Sequence, residues 1–139
     1  RDYPMLDRIL TTTGIFEKSL DAAWLRNEVV SQNIANVDTP DYKRKSVAFE
    51  EYLNDATSGR IKGIRSHPKH IPIGKKNVED IDIRVGVDEN SQSMRLDGNN
   101  VDIEREMAEM AKNTIRYNVI AQRITNEFSK IKSVINEGR

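Results

Sequence analysis

The chain has 139 residues, of which 37% are hydrophobic, 6% aromatic and 32% charged; that is one domain at most, with little bulk for a compact core, which favours an elongated or assembled protein over a compact enzyme. Its 22 basic and 22 acidic side chains cancel and it has no cysteine, so the positive footprint of a nucleic-acid binder is missing, and disulfides, CxxC redox chemistry and thiolate metal sites are excluded. Nowhere do roughly 18 apolar residues run together, and Arg1, Asp2, Tyr3 and Pro4 do not begin a basic-then-apolar leader, so neither a membrane span nor a cleavable secretory signal is expected.

Neutrality hides alternating blocks: residues 1–40 carry −2, 41–76 carry +5, 77–109 carry −7 and 110–139 carry +4. Two readings stay open. Such runs form solvated faces in most proteins, or the +5 and −7 blocks pair between copies or partners docked head to tail.

Met5, Leu6, Ile9 and Leu10 suggest a short helical turn ahead of a break at Thr11-Thr12-Thr13-Gly14. A longer helix is expected from about Ile15 to Asn36. There Phe16, Leu20, Ala23, Asn27, Val30 and Ile34 alternate by four and three, and Trp24, Leu25 and Val29 broaden the stripe. Thr13 is placed to cap it. Pro40 disfavours helical backbone at Thr39, and Asn36 suits a left-handed C-cap, so the helix should end near Asn36. The following string, Ser31-Gln32-Asn33-Ile34-Ala35-Asn36-Val37-Asp38-Thr39-Pro40-Asp41-Tyr42-Lys43, reads as a helix-to-turn device. Small Ala35 admits another backbone, Asn33 and Asn36 offer amides, and Thr39-Pro40 sets a turn that Tyr42 anchors.

The middle of the chain differs in kind. Residues 45–100 hold Gly59, Gly63, Gly74, Gly86 and Gly98 with Pro68 and Pro72. Ile81, Ile83, Val85 and Val87 alternate at period 2, as in a strand or hairpin arm, and the basic stretch 57–76 reads as loop. His67 and His70 lie around Pro68, far in sequence from a carboxylate, and are read as loop histidines with no metal expected. Gly74-Lys75-Lys76 lacks the first glycine of a phosphate loop, since position 69 is lysine.

Asp97-Gly98-Asn99-Asn100-Val101-Asp102 leads into the strongest periodic signal. Ile103, Met107, Met110, Thr114, Tyr117, Ala121, Ile124, Phe128, Ile131 and Ile135 keep 4-3 spacing for more than four heptads, with Ala108, Ala111, Ile115 and Ile120 beside them. A helix of about 35 residues would extend roughly 50 Å. Asp102 is its expected N-cap, and the width of the apolar stripe implies more than one neighbour. The expected architecture is mainly α. N- and C-terminal helices pair as an elongated coiled-coil-like hairpin around a small irregular β-containing insert. The segments are 1–44, 45–100 and 101–139. With two histidines, no cysteine and no catalytic motif, no enzyme and no cofactor are expected.

The Ser31–Lys43 string closely resembles the SxNIANxxTPGYK signature of flagellar rod, hook and related axial proteins. Asp97-Gly98-Asn99-Asn100-Val101-Asp102-Ile103-Glu104-Arg105-Glu106-Met107-Ala108, with Asn113, Arg116-Tyr117 and Phe128, resembles the lead-in and terminal helix of the proximal-rod branch, of the FlgB type. The resemblance spans residues 5–50 and 97–137. Asp41 stands where the family has glycine, at a turn position that favours positive φ.

The resemblance implies a structural subunit of the bacterial flagellar basal-body rod that self-assembles through its terminal helices and transmits torque from the membrane ring to distal rod and hook. It also implies export through the flagellar type III apparatus without a cleaved signal, to the periplasm or cell-wall space. The partners implied are other copies, FlgC- and FlgF-type rod proteins, the MS-ring base and a FliE-type adaptor; no nucleic acid or small-molecule substrate is implied. Assembly is expected to use Phe16, Leu20, Ala23, Val30, Ile34, Ile103, Met107, Met110, Tyr117, Ala121, Ile124, Phe128, Ile131 and Ile135. Ser31, Asn33, Ile34, Ala35, Asn36, Thr39, Pro40 and Tyr42 are expected to set the bend. A FlgC-like subunit and a coiled-coil adaptor or binding module are the alternatives.

Overall fold

Two helices supply most of the described chain, which in this computed structural model comprises residues 4–51, 53–54, 83–88 and 95–137. The basic stretch 57–76, both histidines and Ile81 lie outside the described residues. Helix α1 runs unbroken from Pro4 to Ala35. Pro4 opens it, where a proline's missing amide costs nothing. The break expected at Thr11–Gly14 does not occur. An interior glycine costs only about 1 kcal/mol relative to alanine, less than the packing of the helix beyond it returns, and Gly14 has open space around it.

The helix ends where Pro40 demands, though by a different device from the one expected. Asn36 does not take a left-handed conformation; among the described residues positive φ occurs at Asp41 (58°) and Gly98 (74°). Instead the Asn36 side-chain amide donates to the Gln32 carbonyl at 2.8 Å, and the Asn36 backbone amide reaches the same carbonyl at 3.1 Å. Carbonyls at the helix end are thereby satisfied without a left-handed residue.

Helix α2 spans Ile103–Glu137. Asp102 caps it as expected: its Oδ1 accepts from the amides of Glu104 (3.0 Å) and Arg105 (3.3 Å). Glu104 and Glu106 lie in the first turn, where the helix dipole favours negative charge. The two helices pack antiparallel, since Asn33 bonds Glu106 while Asn113, one heptad later, bonds back to Ala23.

Between the helices in sequence, β1 (Lys45–Ala48) pairs antiparallel with β2 (Arg84–Val87), Lys45 opposite Val87 and Ala48 opposite Arg84. The period-2 run therefore does mark a strand, but Val85 and Val87 are exposed. The ribbon is held by its edge and by α1, with Ile83 packed on a small cluster of Ala22, Phe49 and Leu53. Ala22 and Ala23 are both buried. Neighbouring alanines let α1 be approached closely on two sides, by the ribbon at Ala22 and by α2 at Ala23.

The described fold is thus mainly helical, two long helices with a two-stranded sheet between them in sequence. Its fully buried apolar set is short: Ala22, Ala23, Val29, Val30, Phe49 and Val101. The largest side chains completely removed from solvent are Glu106, Asn33 and Asn99. Polar residues fill much of what would be core.

Candidate functional site

The two sequence strings singled out above meet. Tyr42, Lys43, Arg44 and Lys45 carry the chain away from α1 alongside the Asp97–Asp102 segment that brings it back into α2, and the contacts between them form a polar clasp. At its centre the Asn33 amide donates to Glu106 Oε2 (2.9 Å) and to the Lys45 carbonyl (2.8 Å), while Asn33 Oδ1 accepts from the Lys45 amide (3.0 Å) and the Tyr42 hydroxyl (3.2 Å). Every hydrogen-bonding site of that buried amide group is in use. The Arg44 guanidinium closes the cluster by pairing through Nε with Glu106 Oε1. A buried carboxylate survives only with such compensation.

Asn99 does for the turn what Asn33 does for the helix pair. Its Nδ2 lies within hydrogen-bonding distance of three carbonyls, those of Asn36 (2.9 Å), Val37 (2.9 Å) and Thr39 (2.8 Å), and its Oδ1 accepts from the Val101 amide at 2.8 Å. The Arg44 amide donates to Asn100 Oδ1 (2.6 Å), Asn100 donates to the Asp88 carbonyl (2.9 Å), and Lys43 Nζ donates to the Gly98 carbonyl (2.7 Å). The Asp41 amide donates to the Asp97 carbonyl at 2.9 Å. A Cβ on Gly98 would come within 2.6 Å of Asp41 Oδ1. Two left-handed residues therefore face each other across the clasp, one a glycine and the other an aspartate.

Electrostatics follow from this packing. Burial, and then the Glu106 charge, push the Tyr42 phenol up, because both disfavour a phenolate. The Asn99 amide, aided by Arg95 at 2.9 Å, holds Asp97 below the usual carboxylate range despite some desolvation. On α2, the Lys112 ammonium at 3.0 Å lowers Glu109. A second tie lies beside the ribbon, where Glu50 accepts from Arg26 of α1 (2.6 Å) and Arg116 of α2 (3.0 Å) and so bridges both helices.

The bend residues divide. Asn33, Asn36 and Tyr42 are in the network, with Thr39 donating to Asn36 Oδ1 at 3.1 Å. Ser31, Ala35, Thr39 and Pro40 are exposed and Ile34 is half-buried. The close backbone approach expected at Ala35 is not made among the described residues.

Of the expected assembly residues, Ala23 and Val30 are buried, and Phe16, Leu20, Met110, Ala121, Ile124 and Ile131 are half-buried. Ile103, Met107, Tyr117, Phe128 and Ile135 are exposed. The side of α2 that faces α1 is turned from the apolar stripe toward Glu106, Asn113, Ile120 and Glu127, by less than the ~100° step of one residue. Half of the stripe serves the helix pair and half is left uncovered.

From the sequence, Asn99, Asn100, Glu106 and Asn113 belong to the resembled motif and Glu106 to the first turn of its helix, but neither they nor Arg44 are expected to tie the two ends of the chain together. A signal existed: Glu106, Asn113, Ile120 and Glu127 recur every seven residues, as do Ser19, Arg26 and Asn33, and Asn33 bonds Glu106 from one line to the other.

Comparison with known proteins decides the family. The chain is 35% identical over 123 residues to the flagellar basal body rod protein FlgB of Bacillus subtilis (strain 168), covering 88% of this chain and 92% of that protein.

The chain belongs to the FlgB family of flagellar basal body rod proteins.

It is also 35% identical over 121 residues to FlgB of Borreliella burgdorferi, covering 84% and 89% of the two chains, and 27% identical over 141 residues to FlgB of Escherichia coli (strain K12), covering 96% and 99%. No family model matches it. Asp41, which stands where the axial-protein signature has glycine, is the left-handed residue at φ 58°, so this member holds with aspartate a conformation that suits glycine. Among the described residues there is no group of three or more metal-ligating side chains, and no helix is long and apolar enough to cross a membrane.

Proposed function

We propose that this chain is a structural subunit of the proximal part of the flagellar basal-body rod, assembling through α1 and α2 and passing torque from the membrane ring toward the distal rod and hook. The observation that carries the reading is the uncovered half of the α2 stripe. Ile103, Met107, Tyr117, Phe128 and Ile135 are exposed on a helix whose other side is already engaged. Large apolar side chains left exposed along a helix mark an interaction face, and heterologous contacts between identical chains build open helical filaments when their rotation does not close a ring.

The clasp supplies the other requirement of a shaft. Torque between subunits loads the helix pair in shear, which apolar contacts resist weakly because they are non-directional. Hydrogen bonds at fixed geometry, such as Asn33 to Glu106 and Asn99 to three carbonyls, resist sliding of α1 on α2. The small apolar core also suits a chain that must pass unfolded through an export channel, since little burial has to be undone.

In this reading the partners are other copies, FlgC- and FlgF-type neighbours, the MS-ring base and a FliE-type adaptor, reached after type III export without a cleaved signal. The role is structural rather than catalytic. Replacing Ile124 or Phe128 by Asp tests it. Rod incorporation and swarming should be lost while the chain is still exported to the culture medium, and normal motility of both variants would refute the assembly role of α2.

A further inference from the structure

One face of α1 is acidic and unpaired. Glu17, Asp21, Trp24 and Glu28 follow one another at steps of four, three and four and are all exposed, so they form a line about 16 Å long on the helix surface. Among the described residues no ion pair reaches any of its three carboxylates. Glu28 accepts only a long bond from Gln32, at 3.4 Å.

Trp24 is also one wall of an open groove of about 180 Å³ between the helices, lined by Ala23, Trp24, Asn27, Asn113, Thr114 and Tyr117. Its aromatic walls are uncovered, Trp24 being 66% and Tyr117 43% exposed. In its floor Asn113, only 3% exposed, donates to the Ala23 carbonyl at 2.7 Å, while its Oδ1 has no partner. A buried acceptor left unpaired is costly, and only a donor relieves it. Two aromatic faces, an open acceptor and a line of carboxylates beside them select one ligand chemistry: a cation that stacks flat and donates, as the guanidinium of arginine does.

The chain itself holds such cations in one dense run. Residues 57–76 carry Arg60, Lys62, Arg65, Lys69, Lys75 and Lys76 and no acidic residue. On α2, by contrast, the exposed Arg123 and Lys132 have Glu127 between them, so that helix presents mixed charge. Leu53 and Ile83, which bracket the run in sequence, pack on the cluster at Ala22, and Trp24 is turned about 200° from Ala22 around α1. The run therefore joins the molecule on the face opposite its groove, which leaves the groove to a neighbour.

We propose that Arg60 or Arg65 of one copy enters the Trp24–Tyr117 groove of a second copy, with the rest of the 57–76 run laid along Glu17, Asp21 and Glu28. Donor run and receiving groove lie at different places on one molecule, so the contact is heterologous and adds copies in sequence. The proposal rests on the self-assembly reading above and specifies one of its contacts.

A photo-cross-link tests it directly. The full-length chain with p-benzoylphenylalanine in place of Asn27, at the exposed rim of the groove, is co-expressed with a differently tagged parent chain in cells that build the rod, and irradiated. The expected product is a dimer of the two tagged chains whose cross-linked peptide, read by mass spectrometry, falls within residues 57–76 of the parent. A cross-link to α2 of the second copy, to a rod protein of another kind or to the chain's own run overturns the proposal, as does no cross-link at all. Charge exchange gives a second measurement. Asp21→Lys with Glu28→Lys should lower rod incorporation roughly tenfold or more, because like charges then meet across the contact, with the melting of the secreted monomer unchanged since both side chains are exposed. Adding Arg60→Glu and Arg65→Glu to the same chain should recover incorporation severalfold, which a role of Asp21 and Glu28 within their own chain would not allow; no recovery overturns the contact. If the Asp21→Lys, Glu28→Lys chain assembles normally while Phe128→Asp does not, this contact falls and the assembly reading stands; if both assemble normally, both fall.

Discussion

At the end of the helix pair where Asn33 meets Glu106, the space between the helices is filled by polar side chains that satisfy one another. Toward Phe128 and Ile135 the side chains are apolar and yet exposed. A protein that ends its folding as a monomer does the reverse, burying leucines and isoleucines and leaving carboxylates in water. The difference separates two tasks. The polar end fixes register and angle within one chain, where directional bonds are needed. The apolar end keeps non-directional adhesion in reserve, where several neighbours must be accommodated.

The comparison breaks most severely if the polar end can be emptied without cost. Glu106→Ala leaves the Arg44 guanidinium and one Asn33 donor bond unpaired in a buried site, and breaking a buried pair from one side costs about 3–5 kcal/mol. Against the ~5–15 kcal/mol total of an ordinary domain, that should lower the urea midpoint steeply and expose the start of α2 to hydrogen exchange. Removing Arg44 as well should recover part of the loss, since the two residues are coupled. A midpoint unchanged in Glu106→Ala would show that the clasp is decoration.

Which parts of this were legible beforehand follows from what periodicity counts. The 4-3 spacing of apolar residues located both helices, and Pro40 located the end of α1. The same counting ignores polar residues, so Glu106 and Asn113 were invisible to it although they recur every seven positions. The phase of the α2 face was therefore displaced. It also over-read Gly14 as a stop, because one glycine's propensity is small beside a helix's tertiary packing. Strand β1 has a single clear apolar residue, Val47, and exists through its pairing with β2 some forty positions on, which local pattern does not register. Asp41 was legible as a departure from the resembled signature, but the residue it faces, Gly98, belongs to a segment more than fifty positions away.

A smaller effect probes the same polar end through pH. Tyr42→Phe removes the hydroxyl that donates to Asn33 at 3.2 Å, a loss of about 1 kcal/mol at neutral pH. In the parent chain burial and the Glu106 charge raise the Tyr42 phenol above its ordinary value. The neutral phenol is thus favoured by folding, so its contribution is intact below the usual tyrosine range and is lost as pH climbs through the raised value. The difference in stability between parent and variant should therefore hold through neutral pH and shrink in strong alkali, measured by chemical denaturation. A gap that widens with alkalinity would contradict the placement of Tyr42.

Asp41→Gly runs in the opposite direction. A non-glycine residue at φ 58° is strained by about 1 kcal/mol or more, and its carboxylate crowds the space above Gly98. Glycine should raise the melting midpoint slightly, offset in part by the entropy it releases to the unfolded chain. The conformation is required by the bond from the Asp41 amide to the Asp97 carbonyl, so Asp41→Val should destabilise where Asp41→Gly does not.

The smallest effect sharpens the comparison most. Phe128 is 56% exposed, so Phe128→Ser in the isolated chain removes little buried area, and exposed substitutions stay within about 0.5 kcal/mol. Its urea midpoint should match the parent's. An aromatic ring left in water that contributes nothing to its own chain's stability must act outside that chain, and the same variant should then fail in rods that the parent completes. A midpoint lowered by ~2 kcal/mol or more, as for a buried ring, would mean that Phe128 belongs to the fold and that the apolar end is ordinary core.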